Sequence, residues 1–93
     1  MHPSQSEILS LDFAGNQLSV FYRMGMAESL TLMSRRGSEV DFTIVSEDEE
    51  SPFIDCRPKL NPLKPEMRHY RAILAYPNGK CQLSNEIWCC FPW

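Results

Sequence analysis

The stretch Lys59–Ile87, KLNPLKPEMRHYRAILAYPNGKCQLSNEI, decides the fold. It begins with a proline-rich turn and then alternates polar and apolar residues through MRHYRAILAY. Such a period of two is typical of a half-buried β-strand. A turn at Pro77-Asn78-Gly79 follows, and the alternation resumes after it. The stretch therefore predicts an irregular crossing segment followed by two antiparallel strands joined by a hairpin.

The hairpin turn fits two registers. Pro77 suits the first central position of a type I turn, and Gly79 suits the left-handed position after it. A two-residue turn at Asn78-Gly79 is the rival. The two turns differ by one residue of register, which exchanges the two faces of the strand.

The amino-terminal part predicts a second hairpin. Leu9, Leu11 and Phe13 share one face of residues 8–13, and a short turn at Gly15-Asn16 follows. A two-residue turn there sets Phe13 opposite Leu18, Leu11 opposite Val20 and Leu9 opposite Tyr22. The apolar faces then match along the whole ladder.

Residues 26–36 fit two structures. Met26, Leu30 and Met33 have helical spacing, and Gly37 stands where a helix would stop. The segment SLTLMS also alternates like a strand.

The next strand is predicted at residues 40–46, with Val40, Phe42 and Ile44 on one face. A three-residue turn at 35–37 would pair Leu32 with Val40 and Leu30 with Phe42.

Prolines determine which structure the sequence predicts for residues 52–66. Pro52, Pro58, Pro62 and Pro65 exclude a helix or a central strand and predict a long crossing loop or a linker. Five or six antiparallel strands with one long crossing predict an all-β, two-sheet sandwich. An α+β fold with one helix near residues 26–36 is the alternative.

Composition sets broad limits. Ninety-three residues make a single domain, and a formal net charge of −3 gives no general attraction to nucleic acid or membranes. No apolar run approaches the roughly 20 residues that cross a bilayer. The adjacent Cys89 and Cys90 are a poor start for a disulfide framework, so free thiols are expected for all four cysteines.

The sequence carries no motif of an enzyme or a cofactor site. The cysteines, His2 and His69 lack the spacing of a metal site, and no nucleophile elbow or phosphate-binding glycine loop occurs. The acidic run 47–50 lacks the alternation of a calcium loop. We therefore expect no catalytic residue, no metal and no cofactor.

Three runs of residues resemble a known family. They are Arg35-Arg36-Gly37, the segment Ser51–Pro58 (SPFIDCRP) and the segment Pro65–Tyr70 (PEMRHY). Together with the Leu63-x-Pro65 turn, Tyr70, Gly79 and Ser84, they resemble fibronectin type III-like domains of uncharacterised bacterial proteins. The resemblance implies an immunoglobulin-like β-sandwich over residues 1–93, with 1–6 and 91–93 as flexible tails, and it favours a strand over a helix at 29–34.

The resemblance also implies structural roles. Leu63, Pro65, Tyr70 and Gly79 would shape the turn and the strands after it. In related sandwiches a Tyr at this corner hydrogen-bonds a backbone group a few residues upstream. Tyr70 would fasten the proline-rich crossing in this way.

Fibronectin-like domains mostly serve as spacers or protein-binding units, so the resemblance implies a non-enzymatic interaction module. No strand is evident before Glu7, so the predicted sandwich lacks its first strand and exposes a sheet edge at residues 8–13. Such an edge invites a partner protein or a second copy, as in a homodimer. The candidate interaction residues are Arg35, Arg36, Arg57, Arg68 and Arg71.

The alternative function is binding of a nucleic acid or another ligand through the basic and aromatic segment 57–71. Residues 39–55, however, carry seven acids and no base. A charge match between the two segments is the simpler interpretation, which makes a nucleic-acid partner unlikely.

Overall fold

The structure is a computed structural model that describes residues 8–14, 17–47 and 51–91. These residues form eight strands and no helix. The strands are β1 (Leu9–Ala14), β2 (Gln17–Tyr22), β3 (Ser29–Arg36), β4 (Thr43–Ser46), β5 (Phe53–Asp55), β6 (Glu66–Ala75), β7 (Cys81–Leu83) and β8 (Ile87–Phe91). In the described part of the chain, no helix is long and apolar enough to cross a membrane.

The strands form two antiparallel sheets, which confirms the all-β prediction. The three-stranded sheet has the order β1-β2-β5, and the five-stranded sheet has the order β4-β3-β6-β7. Strand β8 also pairs with β6, alongside its first half, while β7 pairs with its second half. The two sheets are layers of a β-sandwich.

The core lies between the sheets. The three-stranded sheet contributes four buried side chains and the five-stranded sheet six; they are Leu9, Leu18, Val20, Tyr22, Leu30, Leu32, Tyr70, Ala72, Leu74 and Phe91. The predicted pairs Leu9–Tyr22, Leu11–Val20 and Phe13–Leu18 are confirmed. The turn residues Gly15 and Asn16 lie outside the described residues.

Residues 29–36 are a strand, so the alternative of a helix near 26–36 is wrong. Leu30, Leu32 and Ser34 point inward and are buried, while the residues between them are partly exposed. The strand pairs with β6 along its whole length, from Ser29–Ala75 to Arg36–Arg68. The hydrogen bonds to β6 and the burial of alternate side chains favour a strand more than the spacing of Met26, Leu30 and Met33 favours a helix.

The predicted extent and register of β4 are wrong. The strand covers Thr43–Ser46 instead of 40–46, and Ile44 pairs with Met33. The connection from β3 is longer than a three-residue turn, because Glu39 folds back and accepts a hydrogen bond from the Arg36 N–H. Val40 consequently lies in a loop and is exposed instead of meeting Leu32.

The proline-rich crossing contains one short strand, which the sequence does not predict because of the neighbouring prolines. Strand β5 pairs with β2 as an edge strand, with Val20 opposite Phe53 and Leu18 opposite Asp55. An edge position is compatible with the neighbouring prolines, since one side of the strand needs no hydrogen-bond donors. The rest of the crossing, residues 56–65, is irregular.

The β6–β7 hairpin has the three-residue turn. Ala75 pairs with Cys81, and the Tyr76 N–H donates to the Lys80 carbonyl. Gly79 has a φ of +86°, a conformation that suits glycine. Beyond β7 the Ser84 hydroxyl accepts a hydrogen bond from the Ala72 N–H at 2.8 Å. Ser84 lies between β7 and β8, the two strands that pair with β6 on this side.

The prediction that Phe91 belongs to a flexible tail is wrong. Phe91 ends β8 and is buried, with its ring stacked on Phe13 at 4.9 Å between ring centres. The remaining predicted tail residues, 1–6 and 92–93, lie outside the described residues.

Candidate functional site

A buried ionic network joins the two sheets. It consists of Ser34, Asp55, Arg57, Glu66, Arg68 and Tyr70. Asp55 comes from β5, Arg57 follows it in the crossing, and the other four lie on the inward face of β3 and β6. The network forms where the amino-terminal end of β6 faces the three-stranded sheet.

Asp55 is the acceptor at the centre of the buried ionic network. Its carboxylate accepts two hydrogen bonds from Arg57, at 2.9 Å from Nε and 2.6 Å from Nη2. The Tyr70 hydroxyl donates to Asp55 Oδ2, and Arg68 Nη1 lies 3.2 Å from Oδ1. Two guanidinium groups and one phenol therefore compensate a carboxylate that has no access to water.

Arg68 is fully buried and is held on several sides. Its Nε donates to Glu66 at 2.7 Å, and its Nη2 donates to the Arg57 carbonyl at 2.7 Å. Its guanidinium carbon lies 4.0 Å from the centre of the Phe91 ring, in cation–π geometry. Arg68 thus connects β6, the crossing and the end of β8.

The remaining contacts fasten the proline-rich crossing. Glu66 Oε1 accepts the Leu60 N–H at 2.8 Å, and Arg57 Nη2 donates to the Ser34 hydroxyl at 2.9 Å. Glu66 also packs beside Gly37, where an added Cβ would lie 3.6 Å from its Cγ. Both carboxylates and both guanidinium groups are paired, so the network is electrically balanced.

Burial and pairing shift three pKa values. Burial alone would raise the pKa of Asp55, but hydrogen bonds from Arg57 and Tyr70 and the charge of Arg57 lower it from 3.8 to about 2. Burial and the nearby Asp55 carboxylate raise the pKa of Tyr70. Burial lowers the pKa of Arg57, but Asp55 outweighs this effect and raises it overall. All three groups keep their ordinary charge near neutral pH, which suits a structural role.

Five of the six members of the buried ionic network belong to two of the sequence runs singled out above. Asp55 and Arg57 belong to SPFIDCRP, and Glu66, Arg68 and Tyr70 belong to PEMRHY. The predicted hydrogen bond from Tyr70 to a backbone group is wrong in its acceptor, since the hydroxyl donates to the Asp55 carboxylate, 15 residues upstream. A carboxylate that points inward from β5 is the stronger acceptor.

The other predicted structural residues lie at turns. Leu63 is 91% exposed, and its backbone N–H donates to the Asn61 side chain at 2.9 Å. Pro65 is exposed directly before β6, and Gly79 completes the β6–β7 turn. Leu63 therefore shapes its turn through the backbone and not through packing in the core.

The outward face of the five-stranded sheet carries many apolar side chains. We call the following side chains the outer face: Met33, Arg35, Phe42, Ile44, Met67, His69, Arg71, Ile73, Leu83 and Trp88. Cross-strand pairs place them on one surface, because Ile73 lies opposite Leu83 and His69 opposite Trp88. Trp88 and Ile44 are each 58% exposed, and Leu83 is 57% exposed.

Two arginine side chains of the outer face pack against the ring of Phe42. The guanidinium carbon of Arg71 lies 4.0 Å from the centre of that ring, and that of Arg35 lies 5.8 Å from it. Arg35 also donates to the Glu39 carbonyl at 3.1 Å. Nearby, His69 Nδ1 lies 3.1 Å from Glu86.

The five candidate interaction arginines are thus divided between two places. Arg57 and Arg68 belong to the buried ionic network, whereas Arg35 and Arg71 lie on the outer face. Arg36 is held by Glu39 at 3.6 Å and donates to the Pro58 carbonyl. The basic segment 57–71 is therefore not one continuous surface.

The predicted open edge at β1 is partly occupied by a side chain. The Asn85 amide oxygen accepts the Ile8 and Leu9 N–H groups, at 2.9 and 3.0 Å, and its nitrogen donates to the Leu9 carbonyl at 3.1 Å. The amide pairs with Leu9 as the backbone of a neighbouring strand would. Self-association through β1 stays a prediction, and it requires this amide to move away.

Sequence reasoning missed Asn85, Phe42 and Trp88 as residues of interest. Only Trp88 left a signal, as an aromatic residue two positions after the polar Glu86 in a predicted strand. The described residues contain no group of three or more His, Cys, Asp or Glu side chains that could hold a metal ion. The four cysteines are free.

Comparisons with protein-family models, with curated proteins and with solved structures found no match to this chain.

Proposed function

We propose that this chain is a non-enzymatic protein-interaction module, a fibronectin type III-like β-sandwich that binds a partner protein through its outer face. The observation that carries the proposal is the exposure of large apolar side chains on one side of the five-stranded sheet. Trp88, Leu83, Ile73, Ile44 and Met67 are all exposed there.

This composition is unusual for the solvent side of an antiparallel sheet. Such a sheet ordinarily alternates apolar side chains toward the core with polar ones toward water. Contiguous exposed apolar surface marks interaction sites in soluble proteins. Trp, Met, Phe and Arg, all present on the outer face, are enriched at protein interfaces.

The other sheet offers a contrast within the same molecule. Its outward side chains on β1 are Ser10, Asp12 and Ala14, which are small or charged. Phe21 and Ile54 are the large apolar side chains on that side. A residue on this face can therefore serve as a control for residues on the outer face.

Site-specific photocrosslinking in the cells that naturally express the chain tests the proposal. A benzophenone side chain replaces Trp88 in one variant, Leu83 in a second and Phe21 in a control. The outer-face positions should yield one shared, discrete protein adduct, and Phe21 should not. If none of the three positions gives an adduct, or all give the same ones, the interaction role is wrong and a spacer role remains.

The alternative of nucleic-acid binding through 57–71 receives less support. Two of its three arginines, Arg57 and Arg68, are bound to Asp55 and Glu66 inside the sandwich. Phosphate groups would have to compete with these carboxylates.

A further inference from the structure

We propose that Arg71, held against Phe42 at the centre of the outer face, receives a carboxylate from the partner. The partner surface would then present an Asp or Glu side chain flanked by apolar residues. This inference rests on the proposed function, because it names the chemistry of the partner at the same face.

Arg71 is held against an aromatic ring but has no counterion among the described residues. Its guanidinium carbon lies 4.0 Å from the Phe42 ring centre, and its Nε is buried with no hydrogen-bond partner. No carboxylate of the described residues lies within ion-pair distance of it, although the chain holds 12 acidic and 9 basic residues. Stacking on an aromatic ring orients the planar group, and the two terminal nitrogens of a guanidinium match a carboxylate in a bidentate pair.

The other four candidate arginines are already engaged. Arg57 binds Asp55, Arg68 binds Glu66, and both Arg35 and Arg36 contact Glu39. Among the five, and within the described residues, Arg71 alone makes no hydrogen bond or ion pair through its side chain. A side chain without a polar partner is what we expect of an interface residue in the absence of the protein it binds.

The charges of the outer face favour a different protein over a second copy. In a two-fold symmetric contact the same patch forms both sides, so an Arg71 at the centre of the contact, close to the axis, would face the Arg71 of the other copy. The nearby carboxylate, Glu86, already holds His69. Like charges brought together in this way cost binding energy.

Two phage-displayed libraries of twelve-residue peptides provide the probe. They are identical except that the central position is Glu in one and Gln in the other. Selection on the wild-type chain should give binders mainly from the Glu library. Their affinity should fall at least tenfold on Arg71→Gln, fall less on Arg71→Lys, and stay unchanged on Arg23→Gln, a control away from the face.

The outcomes separate this inference from the proposed function. If the selected peptides need Trp88 and Leu83 but bind the Arg71→Gln variant as tightly as the wild type, the role of Arg71 as a carboxylate receptor is wrong. The proposed interaction face then stands. Binders that are indifferent to Trp88→Lys and Leu83→Lys overturn the interaction face as well. A dimer in sedimentation that Arg71→Gln dissociates would show a second copy as the occupant and overturn the proposal. Equal thermal melting of the variants confirms that they are folded.

Discussion

The hydroxyl of Tyr70 donates its hydrogen bond to the carboxylate of Asp55, and this single contact joins the middle strand of one sheet to the edge strand of the other. Both side chains are inaccessible to water, and Arg57 and Arg68 bind the same carboxylate. Together with the other contacts of the buried ionic network, the contact holds the proline-rich crossing in place.

Tyr70→Phe should lower the free energy of unfolding by about 1.5–3 kcal/mol, the range for a hydrogen bond to a charged group. The ring still fills the core, so the loss reports the hydroxyl alone. Denaturant unfolding measures it. Tyr76→Phe is the control, since the Tyr76 hydroxyl bonds Gln82 at the exposed surface and its removal should change little. Equal effects of the two substitutions would contradict the role of Tyr70.

Acid should destabilise the sandwich over a defined range. The folded-state pKa of Asp55 is about 2, below its ordinary value of 3.8. The stabilisation is complete above about pH 5 and is lost as the pH falls through 3.8 to 2 and below, because the unfolded chain takes up the proton first. The shift corresponds to about 2 kcal/mol. Melting temperatures measured between pH 6 and pH 2 test this, and Asp55→Asn should remove that part of the dependence.

Asp55→Asn should also be more damaging than Tyr70→Phe at neutral pH. It leaves the guanidinium groups of Arg57 and Arg68 without their shared carboxylate. Loss of one partner of a buried ion pair costs about 3–5 kcal/mol. Urea unfolding at pH 7 compares the two variants, and a smaller loss for Asp55→Asn would show that the arginines find other partners.

Phe91→Leu should lower the free energy of unfolding by about 1–2 kcal/mol beyond the change in apolar area, since it removes a stacked ring and a cation–π contact. The ring lies against both Phe13 and Arg68. Chemical denaturation measures the loss. Trp88→Leu, an exposed aromatic substitution on the same strand, is the control and should have a much smaller effect.

Asn85→Ala should release the edge of β1. Three hydrogen bonds at about 0.5–1.5 kcal/mol each would be lost, partly replaced by water. Amide hydrogen exchange at Leu9 should accelerate, and sedimentation should detect more self-association than in the wild type, because an unpaired edge invites another strand. Unchanged exchange at Leu9 would mean that the amide does not protect this edge.

The parts of the fold that sequence predicted were set by local patterns. Pairing of β1 with β2 followed from alternation across a short turn. For the β6–β7 turn the sequence left two registers open, and the structure has the three-residue one. The extent of β4 was missed because Val40 and Phe42 alternate without being buried between the sheets. Alternation reports spacing along the chain, whereas burial depends on which strand lies opposite.

The candidate site was harder to predict. Asp55 and Tyr70 both lie within the sequence runs singled out above, yet they are 15 positions apart and the irregular residues 56–65 lie between them. Arg71 was singled out for its charge, but its ring partner Phe42 lies on the far side of β3. Neither contact leaves a periodic signal, because each depends on strand order and not on sequence spacing.

The bond between Asn85 and Leu9 also sets an order of events during synthesis. The two residues are 76 positions apart, so β1 leaves the ribosome long before its side-chain partner exists. At about 5–20 residues per second, the strand waits several seconds with its outward edge unpaired. The edge of β1 is therefore open to misassociation in that interval, and a slow stretch of translation before residue 85 would lengthen it.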